Sequence, residues 1–446
     1  MCRSKWIATL LTFAMFSWGP AFLNGQILSL DDAVKAAETS NRSILTAELA
    51  RKKAVDEVYV ARTQRLPIFS ATALGSRTLS HLGLTLEKGS LGVYPTVGPI
   101  PGRTTTLQNP LGVAGIFFAN IAEPLTQQYK IGLGIELARV GAEAAKEQIR
   151  SQRQSVANEV RRLYYGILQA ESGKASLQAT VDFLRQLDHD TGEDRLQRIA
   201  LQSDALRVKA QLAQAEYDLL KLDDPVETQK QELNRLMGRD VNTAFEIDPV
   251  SATNSDLPDL KDACAKALAS RPEVRLAQLQ VRKADLARRI ANADRIPDVS
   301  LSATALSTVN LSSSLPRNLS GIGVLMNWDV FDWGRKRKQV DEDRQAEQQA
   351  SLQLKDAEAL VIVDVSHRHR QLIEARKELE AATSWQSAAR ELLRVTSNQF
   401  IQKQALLSDA LKAQSGLAES DHRFTQALLD LATTQADFEK AIGEDQ

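Results

Sequence analysis

The chain has 446 residues, 43% apolar and 25% charged, with 55 basic and 56 acidic side chains and a formal net charge of −1. That balance excludes general disorder and any global field that would gather nucleic acid. Aromatic residues are only 5%, and the abundance of Ala, Leu, Gln, Glu and Arg favours long helices over a large sheet sandwich.

The chain opens on an export signal. Arg3 and Lys5 precede an apolar run from Trp6 to Phe16 that is too short to span a bilayer as a helix. Ser17 to Gly25 supplies the cleavage region, with Ala21 and Gly25 both candidate ends, so 1–25 is read as a signal peptide. Cys2 precedes the apolar run and so cannot carry a lipid anchor. The only other cysteine, Cys264, leaves no internal disulfide and no cysteine-rich metal site. No later stretch approaches the roughly eighteen apolar residues of a transmembrane helix, so any membrane part must be built of strands.

The chain repeats itself. Asp32 to Pro67 aligns without a gap on Asp262 to Pro297 at an offset of 230, matching Asp32 to Asp262, Ser40 to Ser270, Lys53 to Lys283, Arg65 to Arg295 and Pro67 to Pro297. From Pro124 onward the offset is 205, matching Val160 to Val365, Ser203-Asp204-Ala205-Leu206 to Ser408-Asp409-Ala410-Leu411, and Gly238 to Gly443. The two offsets differ by 25, so the first copy carries 25 extra residues between Pro67 and Pro124, read as a loop rich in Gly and Pro from Gly83 to Pro110. Ala-rich helices align deceptively well, but Pro67, Gly238 and the Ser-Asp-Ala-Leu block are not helix filler. The copies are 26–248 and 259–446, joined by a linker at 249–258.

Each copy reads helix, strand, strand, helix, helix. In the second copy Val299, Leu301, Ala303 and Ala305 alternate with Asp298, Ser300, Ser302 and Thr304, the period of a half-buried strand. A turn-rich stretch around Ser312 to Asn318 follows, and then Ile322, Val324, Met326, Trp328 and Val330 share one face, giving a hairpin at about 298–330. In the first copy Phe69, Ala71 and Ala73 alternate with Ser70 and Thr72, and Gly115 to Ala122 returns less cleanly, both of its faces being apolar, a hairpin within about 68–122. Strands of about nine to eleven residues cross a bilayer when tilted.

From Lys130 to about Asp190 a heptad seam runs through Ile149, Val156, Leu163, Ala170, Leu177 and Leu184, with Val160, Ile167 and Val181 between them. The second copy repeats it at Leu354, Val361, Ala375, Ala382 and Ala389 with Val365, Leu372, Leu379 and Leu393, Arg368 being the exception. Some sixty helical residues reach roughly 90 Å, far beyond one domain's diameter. Two hairpins give four strands, whereas closed membrane barrels begin at about eight, so several copies must pool their strands.

The sequence resembles the TolC-like outer-membrane efflux proteins over nearly all of its mature length. The carriers are Arg65-Leu66-Pro67 and Arg295-Ile296-Pro297, the return segments Glu123-Pro124-Leu125 and Asp329-Val330-Phe331-Asp332-Trp333-Gly334-Arg335, and the closing Leu236-Met237-Gly238-Arg239. The resemblance implies a mainly α fold with a β-barrel contribution: a homotrimer in which each subunit gives four strands to one barrel in outer-membrane lipid and long helices to a periplasmic α-barrel. It implies a periplasmic adaptor and an inner-membrane pump as partners, no cofactor and no enzymatic activity. Family members usually carry a Gly six residues before the Asp at the periplasmic helix-turn-helix tips, where Arg198 and Lys403 stand here, so either the tip turn takes another conformation or the adaptor contact differs. The docking residues that the resemblance implies at the tips are Arg198, Leu201, Ser203 and Asp204 with Lys403, Leu406, Ser408 and Asp409.

Near the tips Asp188, Asp190, Glu193, Asp194, Asp204 and Asp409 form either acidic rings at a cation-selective constriction or ordinary solvated helix ends. Tyr129, Trp328, Phe331 and Trp333 gather where strands meet helices, as an interfacial aromatic girdle or as junction core. His367 and His369, two apart on a helix, cannot share a metal and are expected on the surface. No phosphate loop, nucleophile elbow, zincin motif or catalytic carboxylate pair is discernible. The alternative, a soluble periplasmic coiled-coil adaptor or scaffold, explains the heptads and the signal but not two duplicated hairpins.

Overall fold

The structure, a computed structural model, describes residues 26–79, 83–108, 112–196, 202–248, 258–309, 317–402 and 404–444. The signal segment and nearly all of the linker lie outside them. In chain order the first copy holds β1 (Gln26–Leu28), α1 (Leu30–Ser40), α2 (Arg42–Thr63) and β2 (Ile68–Thr78). Then come β3 (Gly83–Leu86), β4 (Val93–Tyr94), β5 (Gly98–Pro99), β6 (Thr105–Gln108) and β7 (Gly112–Pro124), followed by α3 (Gln128–Leu196), α4 (Gln202–Lys221), α5 (Asp223–Leu236) and β8 (Phe245–Ile247). The second copy holds α6 (Leu260–Ser270), α7 (Pro272–Ala293), β9 (Asp298–Val309), β10 (Asn318–Asn327), α8 (Arg335–Ile401) and α9 (Leu407–Ala441).

Four expectations need correction. The helix before each hairpin is broken, at Asn41 and at Arg271, because both residues are extended at ψ near 130°. The insertion is not a plain loop: β3 pairs with β6 and β4 with β5, two short antiparallel ladders stacked along one ribbon. β10 stops at Asn327, so Trp328 and Val330 are not strand residues; Asp329 pairs there with Arg335 and Lys336 and starts the turn into α8. His369 is half-buried, its ring 5.8 Å from that of Phe438 and its Nε2 3.2 Å from the Pro258 carbonyl, while His367 is exposed.

The two long helices follow from the heptads. α3 has 69 residues and α8 has 67, each about 100 Å long at ~1.5 Å per residue. Val156, Val160, Ile167 and Val181 of α3 and Val361, Val365 and Leu372 of α8 are buried, as the period requires. Near the strands α2, α3, α7 and α8 lie side by side in that order; toward the tips the order is α4, α3, α9 and α8. Arg368 interrupts the α8 seam because it binds a carboxylate. Asp437 of α9 is buried and accepts from Arg368 (2.9 Å), from Asn158 (3.0 Å) and from the Arg162 guanidinium, so it joins α9 to both long helices. Burial pushes the Asp437 carboxyl up, but hydrogen bonds from Arg162 and Asn158 and the charges of Arg162 and Arg368 outweigh it and hold the group below the ordinary range.

Two smaller cores sit at mid-height. In the first copy α1 and α5 cover α3, and the parallel pair of β1 with β8, a feature the sequence pattern did not signal, closes the copy on itself. The buried Tyr164 hydroxyl lies 2.9 Å from the carbonyls of both Leu28 and Asp248 and holds that pair down. In the second copy α6 covers α8 and α9. The repeated Gly238 and Gly443 end α5 and α9 at φ +71° and +76°, so each turns its backbone onto the helix break of its own copy. A Cβ on Gly238 would stand 2.4 Å from the Ser40 carbonyl oxygen, and one on Gly443 2.7 Å from Ser270 Oγ.

Candidate functional site

The four long strands form one antiparallel sheet in the order β2, β7, β9, β10. Its register repeats with the sequence. Phe69 faces Ile121 in the first hairpin, and the residues at the two offsets, Val299 and Met326, face each other in the second. One face therefore carries cross-strand apolar rows, such as Phe69, Ile121, Ala303 and Ile322, and then Leu301 beside Val324. The opposite face is mixed: one row carries Ser70, Asn120, Thr304 and Gly321 with Ser302 and Gly323 beside it, and the next row out carries Thr72, Phe118, Leu306 and Leu319. Ser302 Oγ donates to Asn120 Oδ1 at 2.9 Å across the polar part of that face. β2 and β10 are edges, 11 and 10 residues long, with one side of each backbone ladder unpaired among the described residues.

The helices end in the same way. The face of α3 that meets α9 is covered, whereas the repeat-related face of α8 is bare. Asn158 is 7% exposed and its counterpart Val363 64%; Leu187 is 5% exposed and its counterpart Leu392 59%. The converse holds for the short partners: Leu206 of α4 is 59% exposed and its counterpart Leu411 of α9 is 7%. Thus α8, with Leu360, Val363, Trp385 and Leu392, is one bare edge; α2, with Leu49, Tyr59 and Val60, and α4, with Leu206 and Tyr217, form the other.

Strand and helix are joined by a fixed elbow. Thr126 donates to the Pro297 carbonyl at 2.7 Å and accepts from the Val299 amide at 2.8 Å, while Gln128 donates to the carbonyls of Arg65 and Pro124. On the α8 side Trp333 and Gly334 both take positive φ, 57° and 82°, which lets Asp332 accept from the amides of Gly334 and Lys336 and cap α8. Those amide bonds, foremost that from Lys336, hold the Asp332 carboxyl below its ordinary range. All four girdle candidates lie at this elbow and are exposed: Tyr129 in the first turn of α3, Trp328 directly after β10, and Phe331 edge-on to Trp333 at 4.8 Å.

At the tips Arg198, Leu201 and Lys403 lie outside the described residues. Ser203 is exposed in the first turn of α4, where Asp204 follows it, and Leu406 is exposed just before α9. The Leu406 amide donates to Asp409 at 3.4 Å, so Ser408 and Asp409 belong to a helix start, and Ala410 is buried beneath them. Asp188 is half-buried; Asp190, Glu193 and Asp194 occupy the last turns of α3, with side chains outside the described set.

Residues 263–444, essentially the second copy, match the family model for outer membrane efflux proteins. No curated protein matches the sequence. Solved structures match the fold over both copies. The crystal structure of the Campylobacter jejuni CmeC outer membrane channel has a TM-score of 0.77 at 15% identity, covering 93% of this chain and 85% of that one. The outer membrane protein VceC from Vibrio cholerae has a TM-score of 0.74 at 16% identity, covering 93% and 96% respectively. The open state of the Neisseria gonorrhoeae MtrE outer membrane channel has a TM-score of 0.72 at 18% identity, covering 93% and 88%. The second copy is thus an outer membrane efflux unit, and the fold across both copies is that of the TolC-like channels. The matched family is one of outer membrane efflux proteins, and the matched CmeC and MtrE structures are outer membrane channels.

Proposed function

From that premise we propose that three copies of the chain close into one passive duct, which takes cargo from an inner-membrane pump through a periplasmic adaptor docked at the helix tips. The observation that carries this reading is the match between bare and covered faces. Within one chain the first copy is covered by the second: α9 and α7 lie on α3, and β9 pairs with β7. By repetition the second copy needs a first copy on its far side, with α4 and α2 of a neighbour on α8 and β2 of a neighbour on β10. A contact that joins one edge to a different edge is heterologous, and it gives a ring when its rotation closes and an open filament when it does not. Lipid makes closure obligatory for the strands, because unpaired backbone groups there cost several kcal/mol each.

Three copies follow the TolC-like family and give twelve strands. The apolar rows through Phe69 and Ile322 would face lipid, and the rows through Ser70 and Thr304 would face the water-filled lumen. The exposed aromatic residues of the elbow would then sit at the periplasmic membrane surface. The soluble scaffold alternative leaves a sheet with two open edges and a bare 67-residue helix without purpose.

Native mass spectrometry of detergent-extracted protein tests the ring: a trimer with conductance in planar bilayers is expected, and a monomer that needs no detergent overturns it. Photo-crosslinkers at Ser203 and Leu406 test the docking ends, where adducts to a periplasmic adaptor are expected and adducts confined to other positions would move the dock.

A further inference from the structure

A cleft of about 520 Å³ opens on the face of α3 that also carries α1, bounded by α2 and by the C-terminal end of α9. Five of its cations, Arg51, Lys52, Lys146, Arg161 and Lys440, have no hydrogen bond or ion pair among the described residues. Its carboxylates are outnumbered: Glu48 is held by Arg153 at 2.9 Å, Glu444 is bound by Lys266, and only Glu38, half-buried near the end of α1, is left to face the five. Arg161 and Lys440 are half-buried, and burial, only partly opposed by the Glu273 and Asp437 charges, holds the Lys440 ammonium below its ordinary range. Like charges drawn together in excess of their counter-charges raise the energy of the empty site, and a bound anion relieves it.

The scaffold does not demand this cluster, because the second copy builds the same helices without it. The counterparts of Arg51, Lys146 and Arg161 are Val281, Ser351 and Ser366. The counterparts of Lys52 and Lys440 are Arg282 and Arg235, which are paired with Glu136 and Glu232. No position of the duplicated set keeps an unpaired cation.

We propose that this cleft binds a small, multiply charged anion bearing phosphate or carboxylate groups, one per chain, on the periplasmic flank of the helices. The reading does not depend on the ring, since one chain supplies every wall. Isothermal titration of the detergent-solubilised full chain with pyrophosphate, and separately with citrate, tests it. Saturable binding of either probe is expected at one site per chain, weakening as salt rises. Lys146→Glu combined with Arg161→Glu should weaken it by about tenfold or more, the effect of losing charge-assisted hydrogen bonds. Lys338→Glu, on the far exposed start of α8, should leave it unchanged. If the double reversal does not fold, Lys146→Gln with Arg161→Gln carries the same expectation. Heats that never saturate with either probe, or equal affinity in the cleft variants and the wild type, would overturn the proposal.

Discussion

The two copies share one register, one pair of helix breaks and one pair of closing glycines, yet their related residues live in different surroundings. Asn158 is buried against α9 while Val363 is bare; Leu206 is bare while Leu411 is buried. The difference lies in position along the row of helices, not in local propensity. In the proposed ring, one copy finds its neighbour within the chain and the other finds it in another molecule. On that reading the exposed apolar face of α8 is the seat of a neighbour.

The comparison can be broken at that edge first. Leu360→Glu with Val363→Glu on α8 should weaken assembly by on the order of a thousandfold, because two charges are buried without partners, while the helical signal of the separated chain persists. The related pair on α3, Ser155→Glu with Asn158→Glu, should instead lower the melting temperature of the single chain, because its cover is internal. Circular dichroism and native mass spectrometry separate the two outcomes.

A smaller effect is expected at the closing glycines. Gly238→Ala should cost about 3 kcal/mol, from the positive φ and from the Ser40 carbonyl, which cannot move away cheaply. Gly443→Ala should cost about 1–2 kcal/mol, because the Ser270 hydroxyl it meets first can rotate. Denaturant unfolding would rank them, and the reverse order would contradict the packing described.

Asp437 and its counterpart Glu232 give a third contrast. Asp437→Asn should cost roughly 2–3 kcal/mol, less than a fully buried pair because Arg162 is half-exposed. Glu232→Gln, in an exposed pair with Arg235, should cost about 0.5 kcal/mol or less. Because the folded carboxyl of Asp437 lies below its unfolded value of about 3.9, its contribution is full above that pH and is lost as pH falls through the folded value. Acid unfolding of the wild type should thus be steeper below about pH 4 than that of Asp437→Asn, and parallel curves would contradict it.

Much of this fold was legible because repetition leaves a signature that needs no long-range inference. The offsets of 230 and 205 place Phe69 against Ile121 and Val299 against Met326, and the heptads place Val160 and Val365 in the seam. What escaped was set by tertiary partners. Arg368 breaks the heptad because the carboxylate it binds, Asp437, lies 69 residues on. The β1–β8 pair joins three-residue segments too short to show a period. The ladders of the insertion rest on β-turns and Gly98 at φ +80°, which read equally well as loop. The cationic cleft gathers residues from α2, α3 and α9 that no spacing in the sequence connects.

The most direct test of the ring is the register of its seam. If β10 meets β2 of a neighbour as β9 meets β7, the offsets pair Met326 with Ala73 and Leu325 with Leu74. Adjacent pairs in an antiparallel ladder alternate between the wide and the close type, so one of the two is close enough for a disulfide. In a Cys264→Ser background, Met326→Cys with Ala73→Cys, or Leu325→Cys with Leu74→Cys, should give a covalent trimer under oxidation. Chains that stay single in both variants, or that link only when one cysteine is moved two residues along the strand, would contradict the account.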